Sequence, residues 1–307
     1  MSAVDRQMMS RALQLAAKGR YTSAPNPSVG CVIARDDSII GEGFTRPAGG
    51  NHGEIEALQQ ASDTAGATAY VTLEPCSHQG RTGPCADALV AAGISRVVIA
   101  CEDPNPEVAG SGIQKLKDAG IEVELGLMED QARESNRGFI KRHEQGMPWV
   151  TVKMAASLDG RTAMASGQSQ WITTPAARAD VQRLRAAQCA IITGIGTQKM
   201  DDPSLTVRIT RDDVGVEDEL RQPLRVVVDA RLQMSPEARM FQQPGDTLVA
   251  TLDGPEQRDR SAALEAAGAE VAFLPAMGEH IDLHALLVEL AGRGCNQVLV
   301  EAGAGLA

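Results

Sequence analysis

The sequence has no apolar run near the ~18 residues that a membrane span requires. Its start, MSAVDRQMMSRALQLAAKGR, lacks the continuous apolar core of a signal peptide. These absences exclude a membrane-embedded or secreted protein and lead to the expectation of a soluble, cytoplasmic chain. Positive charge is short too. Twenty-nine Lys and Arg face 40 Asp and Glu, a net charge of -11, so no field built into the whole surface attracts a phosphate backbone. Nucleic acid is therefore not expected as the main partner. Six cysteines in 307 residues are too few for a disulfide scaffold, and in a reducing compartment some can serve as metal ligands. No internal repeat or low-complexity tract is visible. With 43% hydrophobic and 22% charged residues the composition is that of an ordinary globular protein, and the length suits two domains of ~150 residues.

Short β-rich runs alternate with helical patterns through the first half: Val29 to Ile33, Ile39-Ile40, Ala69 to Leu73, Arg96 to Ala100 and Ile121 to Leu125. Asp36-Asp37 signals a hairpin, so the first pair should be antiparallel. The later runs are separated by helix-length segments that favour parallel crossovers, which makes the sheet mixed. Helices are predicted to begin near Gly53, Pro84 and Gly110. A boundary falls at about 146, where the polar helix end Arg142 to Pro148 precedes a new strand-like run, Trp149 to Met154. This gives domains at 1–146 and 147–307. The second shows strands at 190–192, 224–228, 247–250 and 297–300, with helical patterns at 175–187, 256–267 and 282–292, again an α/β layer structure. The acidic stretch 209–222 reads as a solvated loop.

The sharpest chemical signal is His52-Gly53-Glu54, followed by Pro75-Cys76 and then Cys85. One imidazole and two thiols supply the three protein ligands of a hydrolytic zinc site, whose fourth position takes water and lowers its pKa towards ~7. Glu54 is then the proton shuttle and not a ligand. Any one of these cysteines alone would read as a small buried hydrophobe, as Cys31, Cys101, Cys189 and Cys295 do in their apolar runs. His78, two residues from Cys76, is a competing ligand. Asn26 is either a turn residue before proline or a hydrogen-bonding group for a pyrimidine edge. Arg81 meets either a substrate phosphate or solvent. In the second half Thr193 to Thr197 and Glu301 to Gly305 are weak glycine-turn signals that could approach phosphate.

His-x-Glu followed by Pro-Cys resembles the zinc-dependent nucleobase deaminases, yet eight residues, Ser77 to Pro84, separate Cys76 from Cys85 where the usual motif has two. The stretch CSHQGRTGPC, with Asn26 to Cys31 upstream and Asp103 to Pro106 downstream, resembles the bifunctional riboflavin-biosynthesis deaminase and reductase family, in which the longer loop is the pattern. Gly83 departs from it, standing where the family has proline. Lys153 to Ala163, Ser169 to Thr173 and Asp201 to Arg208 resemble that family's reductase half. The resemblance implies an α/β chain with a cytidine-deaminase-like mixed sheet first and a dihydrofolate-reductase-like domain second. It further implies zinc and NADPH as cofactors and a phosphorylated pyrimidine as substrate; a homo-oligomer is expected only because symmetric homo-oligomers are common.

By the same resemblance Ala155, Trp171, Thr197, Asp201 and Gly303 lie near the cofactor. Ser169, Arg185, Leu205, Arg208 and Glu301 face the substrate of the reductase, the arginines suiting its phosphate, and Asn26 and His78 face that of the deaminase. Trp171 fits a core aromatic as well, and Arg185 a solvated helix residue. Lys153 and Asp201 are candidate proton donors, and Ala230 stands where a serine is expected. The family continues beyond the position of Ala307 with a helix and further strands, so an incomplete, impaired reductase is expected here. The rival readings are a nucleoside or tRNA deaminase with an appended domain, and a zinc-stabilised binding protein without catalysis.

Overall fold

The computed structural model describes residues 2–78, 83–164, 172–303 and 305–306. The chain divides into two compact units, one of residues 1–146 with 215–218, the other of 147–214 with 219–307. Among the described residues no helix is long and apolar enough to cross a membrane.

The first unit opens with α1 (Ala3–Gly19), whose start is fixed by a reciprocal cap between Ser2 and Asp5 and whose Met8, Met9, Ala12, Leu15 and Ala16 are buried. The hairpin β1 (Gly30–Arg35) and β2 (Ser38–Phe44) follows, turning where Asp36 takes a left-handed φ of 52°. Next come α2 (Gly53–Gln60), β3 (Thr68–Val71), α3 (Cys85–Ala91) and β4 (Arg96–Ile99). The unit continues with α4 (Ser111–Asp118), β5 (Glu122–Leu125), α5 (Glu129–Ser135) and α6 (Arg137–Gln145). The sheet order is β2-β1-β3-β4-β5, with β1 antiparallel to both neighbours and β3, β4 and β5 parallel. Two close approaches place the elements that matter below. A Cβ on Gly41 would lie 2.3 Å from the Ala57 carbonyl, and one on Gly43 2.2 Å from that of Gly53, so α2 rests directly on β2. A Cβ on Gly112 would lie 2.0 Å from the Pro75 carbonyl, which seats α4 against the end of the loop after β3.

The acidic stretch 209–222 is not wholly the solvated loop its composition suggests. Val216 is buried, and Glu217 and Asp218 pair with Arg46 at 2.9 and 3.4 Å within the first unit. One apolar residue among acids is enough to pin a loop when a guanidinium meets the charges beside it.

The second unit comprises β6 (Trp149–Lys153), α7 (Pro175–Ala186), β7 (Ala190–Gly194), α8 (Ile195–Asp201), β8 (Leu224–Val228) and β9 (Thr247–Leu252). It ends with α9 (Pro255–Ala266), β10 (Ala269–Leu274), the short hairpin β11 (Ala276–Met277) and β12 (His280–Ile281), α10 (Leu283–Gly292) and β13 (Gln297–Glu301). Six parallel strands run in the order β10-β9-β8-β7-β13-β6, around a core that includes Ile191, Val227, Val249 and Leu299. Parallel strands aligned this way present all their C-terminal ends on one edge, where open α/β sheets bind ligands. Gly194 and Gly196 do not form a tight turn. Gly194 is the extended N-cap of α8 with φ -94°, and Gly196 lies within the helix.

Candidate metal centre and strand-end cleft

His52 is the N-cap of α2, Cys76 lies in the loop after β3, and Cys85 is the first residue of α3. Three separate elements thus bring one donor atom each to a single point. His52 Nδ1 lies 3.6 Å from Cys76 Sγ and 3.3 Å from Cys85 Sγ, and the three donors all fall within 4.8 Å of one another. Tetrahedral bonds of about 2.0–2.3 Å set neighbouring donors about 3.6 Å apart, so the cluster has the spacing and the borderline-soft chemistry that zinc takes. The Cys85 backbone N–H donates to Cys76 Sγ at 3.3 Å. Hydrogen bonds from Cys85 and from the His52 imidazole hold the Cys76 thiol down at about 4, whereas Cys85, facing the Cys76 sulfur and buried beside Glu54, is pushed up. Hydrogen bonding to Cys76 raises His52. A divalent cation removes this conflict, because it stabilises both thiolates at once.

Glu54 sits one turn-step into α2, 3% exposed, with the Cys85 thiol within hydrogen-bond reach. Burial raises its carboxyl to about 7, against its ordinary 4.5, the nearby imidazole countering part of that. A carboxyl so placed takes up and releases a proton near neutrality, as a shuttle must. His78 is exposed just after the Cys76 loop, close enough for its charge to favour that of Asp103. Asn26 is half-buried in a turn closed by its own N–H to the Ser23 carbonyl at 3.0 Å. Arg81 lies outside the described residues.

Two acids stand here to which the sequence assigned no role, Glu74 and Asp103. Buried Glu74, two residues before Cys76, accepts the backbone N–H groups of Asp103 (3.2 Å), Gly110 (2.9 Å) and Ile113 (3.0 Å), tying the segment after β4 to the ligand loop. Asp103, buried beside it, accepts the Asn105 N–H at 2.8 Å, and burial pushes its carboxyl up to about 6. An acid ending an apolar strand immediately before Pro-Cys was the available signal for Glu74.

In the second unit a cleft of about 1610 Å³ runs along the C-terminal strand ends. That exceeds the ~300–1,000 Å³ of a site for one small ligand and leaves room for two. Lys153, Ala155, Arg185, Thr197, Asp201, Leu205, Arg208, Ala230, Glu301 and Gly303 all line it. Ser169 and Trp171 lie outside the described residues. Arg185 is not a solvated helix residue. It donates to both oxygens of Glu301 at 2.6 and 2.9 Å and to the Thr206 carbonyl at 3.1 Å, so its fork is occupied by protein groups. Leu205 is buried with a left-handed φ of 48°, a strained position for a branched side chain at the cleft wall. The Gly303 N–H reaches Thr197 Oγ1 at 3.4 Å, joining the turn after β13 to α8.

Comparison with known proteins addresses both units. Residues 2–101 match the family model of the cytidine and deoxycytidylate deaminase zinc-binding region, and residues 148–307 that of the RibD C-terminal domain. The riboflavin biosynthesis protein RibD of Escherichia coli (strain K12) is 49% identical over 99% of this chain and 83% of its own length. That of Haemophilus influenzae is 48% identical over 99% and 82%. Among solved structures, a form of Acinetobacter baumannii RibD is similar with a TM-score of 0.88 at 47% identity, covering 99% of this chain and 82% of that one. A diaminohydroxyphosphoribosylaminopyrimidine deaminase and 5-amino-6-(5-phosphoribosylamino)uracil reductase from Thermotoga maritima gives 0.85 at 35% identity, covering 98% and 81%.

Proposed function

Since this chain belongs to the RibD family, the deaminase and reductase proteins of riboflavin biosynthesis, we propose that its two units act in series on one phosphorylated pyrimidine. Its cofactors are zinc and NADPH. The first unit replaces the 2-amino group of 2,5-diamino-6-(5-phosphoribosylamino)pyrimidin-4(3H)-one by oxygen, and the second reduces the ribosyl chain of the product to ribityl.

In the first unit His52, Cys76 and Cys85 would hold zinc, which when bound supplies a Lewis acid that makes water a nucleophile at neutral pH. Glu54 takes the proton of the attacking water on a carboxylate oxygen, passes it to the ring nitrogen and finally delivers a proton to the departing amine. The balance is one water in and one ammonia out. Its buried position keeps bulk water from exchanging that proton before it is delivered. His78 and Asn26 bind the pyrimidine and Arg81 its phosphate, while Glu74 holds Asp103 within reach of the His78 charge.

In the second unit NADPH supplies the hydride that reaches C1' of the opened ribose. Ala155, Thr197, Asp201 and Gly303, with Trp171, position the dinucleotide. Ser169, Leu205 and Arg208 face the substrate beside the Arg185–Glu301 pair. Lys153 and Asp201, which line the cleft, are the candidates to return a proton. The protein works in the cytoplasm, where thiol ligands stay reduced, and as a symmetric homo-oligomer, the form most soluble oligomers take.

The observation that carries this reading is the meeting of His52, Cys76 and Cys85 within 4.8 Å beside buried Glu54. The test records ammonia release and NADPH oxidation in one sample of zinc-loaded protein given the diaminopyrimidine ribosyl phosphate. Ammonia first and NADPH loss second is the expected order. Glu54→Gln should retain zinc and lose ammonia release, Cys85→Ser should lose zinc, and unchanged ammonia release from Glu54→Gln would refute the assignment.

A further inference from the structure

We propose that Arg231 binds the 2'-phosphate by which NADPH differs from NADH, and so sets the cofactor preference of the second unit. The inference rests on the reading of that unit as an NADPH-dependent reductase. Five arginines line the cleft, and three are committed to protein groups. Arg185 holds Glu301, Arg178 donates to the Thr173 carbonyl, and Arg239 pairs with Asp202 at 3.9 Å. Among the described residues, Arg208 and Arg231 have no hydrogen bond or ion pair from their guanidinium groups, and both are exposed.

These two free cations stand on different sides of β7. The Arg208 N–H is held by Gln182 of α7, in the segment whose Thr206 carbonyl receives Arg185, next to the end of β13. Arg231 follows the end of β8, where α9 holds the backbone: Gln257 donates to the Ala230 carbonyl at 3.4 Å and Arg260 to the Arg231 carbonyl at 3.0 Å. Strand ends are about 4.8 Å apart, so β13 and β8 are separated by about 10 Å across β7. A cleft with room for a sugar phosphate and a dinucleotide therefore has one uncommitted guanidinium for each. With the substrate phosphate on Arg208, a dinucleotide whose reactive ring lies by Thr197 and Gly303 extends its other half over β8.

The turn bearing Arg231 is built before any ligand arrives. The Asp229 carboxylate, 1% exposed, accepts the N–H groups of Gln233 (2.6 Å), Met234 (2.8 Å) and Arg231 (3.4 Å). Leu232, at φ 47°, drops its side chain into the core. Backbone on both sides of Arg231 is fixed while its planar fork stays available, the geometry that suits a phosphate dianion. The Ala230 side chain beside it carries no polar atom, so the positive charge at this turn comes from Arg231.

The test measures equilibrium binding of NADPH, NADH, 2',5'-ADP and 5'-AMP to the zinc-loaded chain and to Arg231→Ala. The variant should bind NADPH and 2',5'-ADP about 10- to 150-fold more weakly, the range for a hydrogen-bonded charge, with NADH and 5'-AMP unaffected. Arg231→Lys should recover part of the loss. Unchanged NADPH affinity, or equal weakening of NADPH and NADH, would overturn the role of Arg231 while leaving the reductase reading in place. A parent chain that binds neither dinucleotide would overturn that reading, and Arg231 with it.

Discussion

Arg185 and Glu301 form a nearly dry ion pair, their side chains only 11% and 10% exposed, with two N–H···O contacts of 2.6 and 2.9 Å. Removing one partner of such a pair leaves an uncompensated charge, at a cost of about 3–5 kcal/mol, whereas replacing both by neutral groups of similar size is close to neutral. Glu301→Gln keeps the shape and one acceptor, so about 3 kcal/mol is expected. Arg185→Met also strands the Thr206 carbonyl and should lie at the upper end of the range. The double variant should lose about 1–2 kcal/mol, less than either single change, because no charge remains to be stranded. Both tryptophans, Trp149 and Trp171, fall within 147–214, so tryptophan emission during urea titration reports the second unit. With a slope near ~2 kcal/mol per molar urea, a 3 kcal/mol loss moves the midpoint by about 1.5 M. Additive losses in the double variant would refute the reasoning, since they would mean that the two groups are stabilised independently. The same cycle bears on binding: a phosphate that engages Arg185 has to compete with Glu301 for the fork.

Two further predictions concern the first unit. Gly43→Ala places a Cβ 2.2 Å from the Gly53 carbonyl and 2.5 Å from the Ala57 N, so α2 must shift with His52 at its cap, costing at least about 1–3 kcal/mol. Zinc per chain and ammonia release should fall while the tryptophan-reported midpoint stays put; full zinc occupancy would contradict the close packing. Burial raises Asp103 from 3.8 to about 6, so ionising it opposes folding. The stability attached to this carboxyl is whole below pH 3.8 and is lost as pH rises through about 6, roughly 3 kcal/mol in all. Asp103→Asn lacks this decline, and its stability relative to the parent, read from amide exchange in the first unit, should grow between about pH 4 and 7. A constant difference would show that Asp103 ionises without penalty.

The zinc ligands were legible because each carries its chemistry in its side-chain type and because the helix starts near Gly53 and Pro84 could be read from local pattern. The eight-residue gap before Cys85 did not hide the third ligand, since proximity in space depends on where α3 begins and not on the count between cysteines. Other parts were written in no local signal. Nothing in the periodicity of β13 tells that it inserts between β7 and β6, because strand order is settled by crossovers and sheet packing. The helix α8 was obscured by its two glycines, which signal a turn by type but here serve as an extended N-cap and an ordinary helical residue. Glu74 was missed because its three amide partners come from the segment after β4, 29 to 39 residues away.

The arginines of the cleft show where reading by residue type stops. Arg185, Arg208 and Arg231 are equally able to bind phosphate by chemistry, and a sequence distinguishes them only by resemblance. What separates them is commitment: Glu301, 116 residues away, reaches Arg185 because β13 runs beside β7, whereas no carboxylate among the described residues reaches the other two. A guanidinium closed by a buried carboxylate contributes to the fold first, and it is available to a ligand only at the cost of breaking that pair. One left unpaired on a turn fixed by Asp229 has no such competitor, so it can discriminate between ligands by their charge alone. Specificity in this cleft therefore belongs to the arginines that the fold leaves without a partner, and the strand order decides which those are.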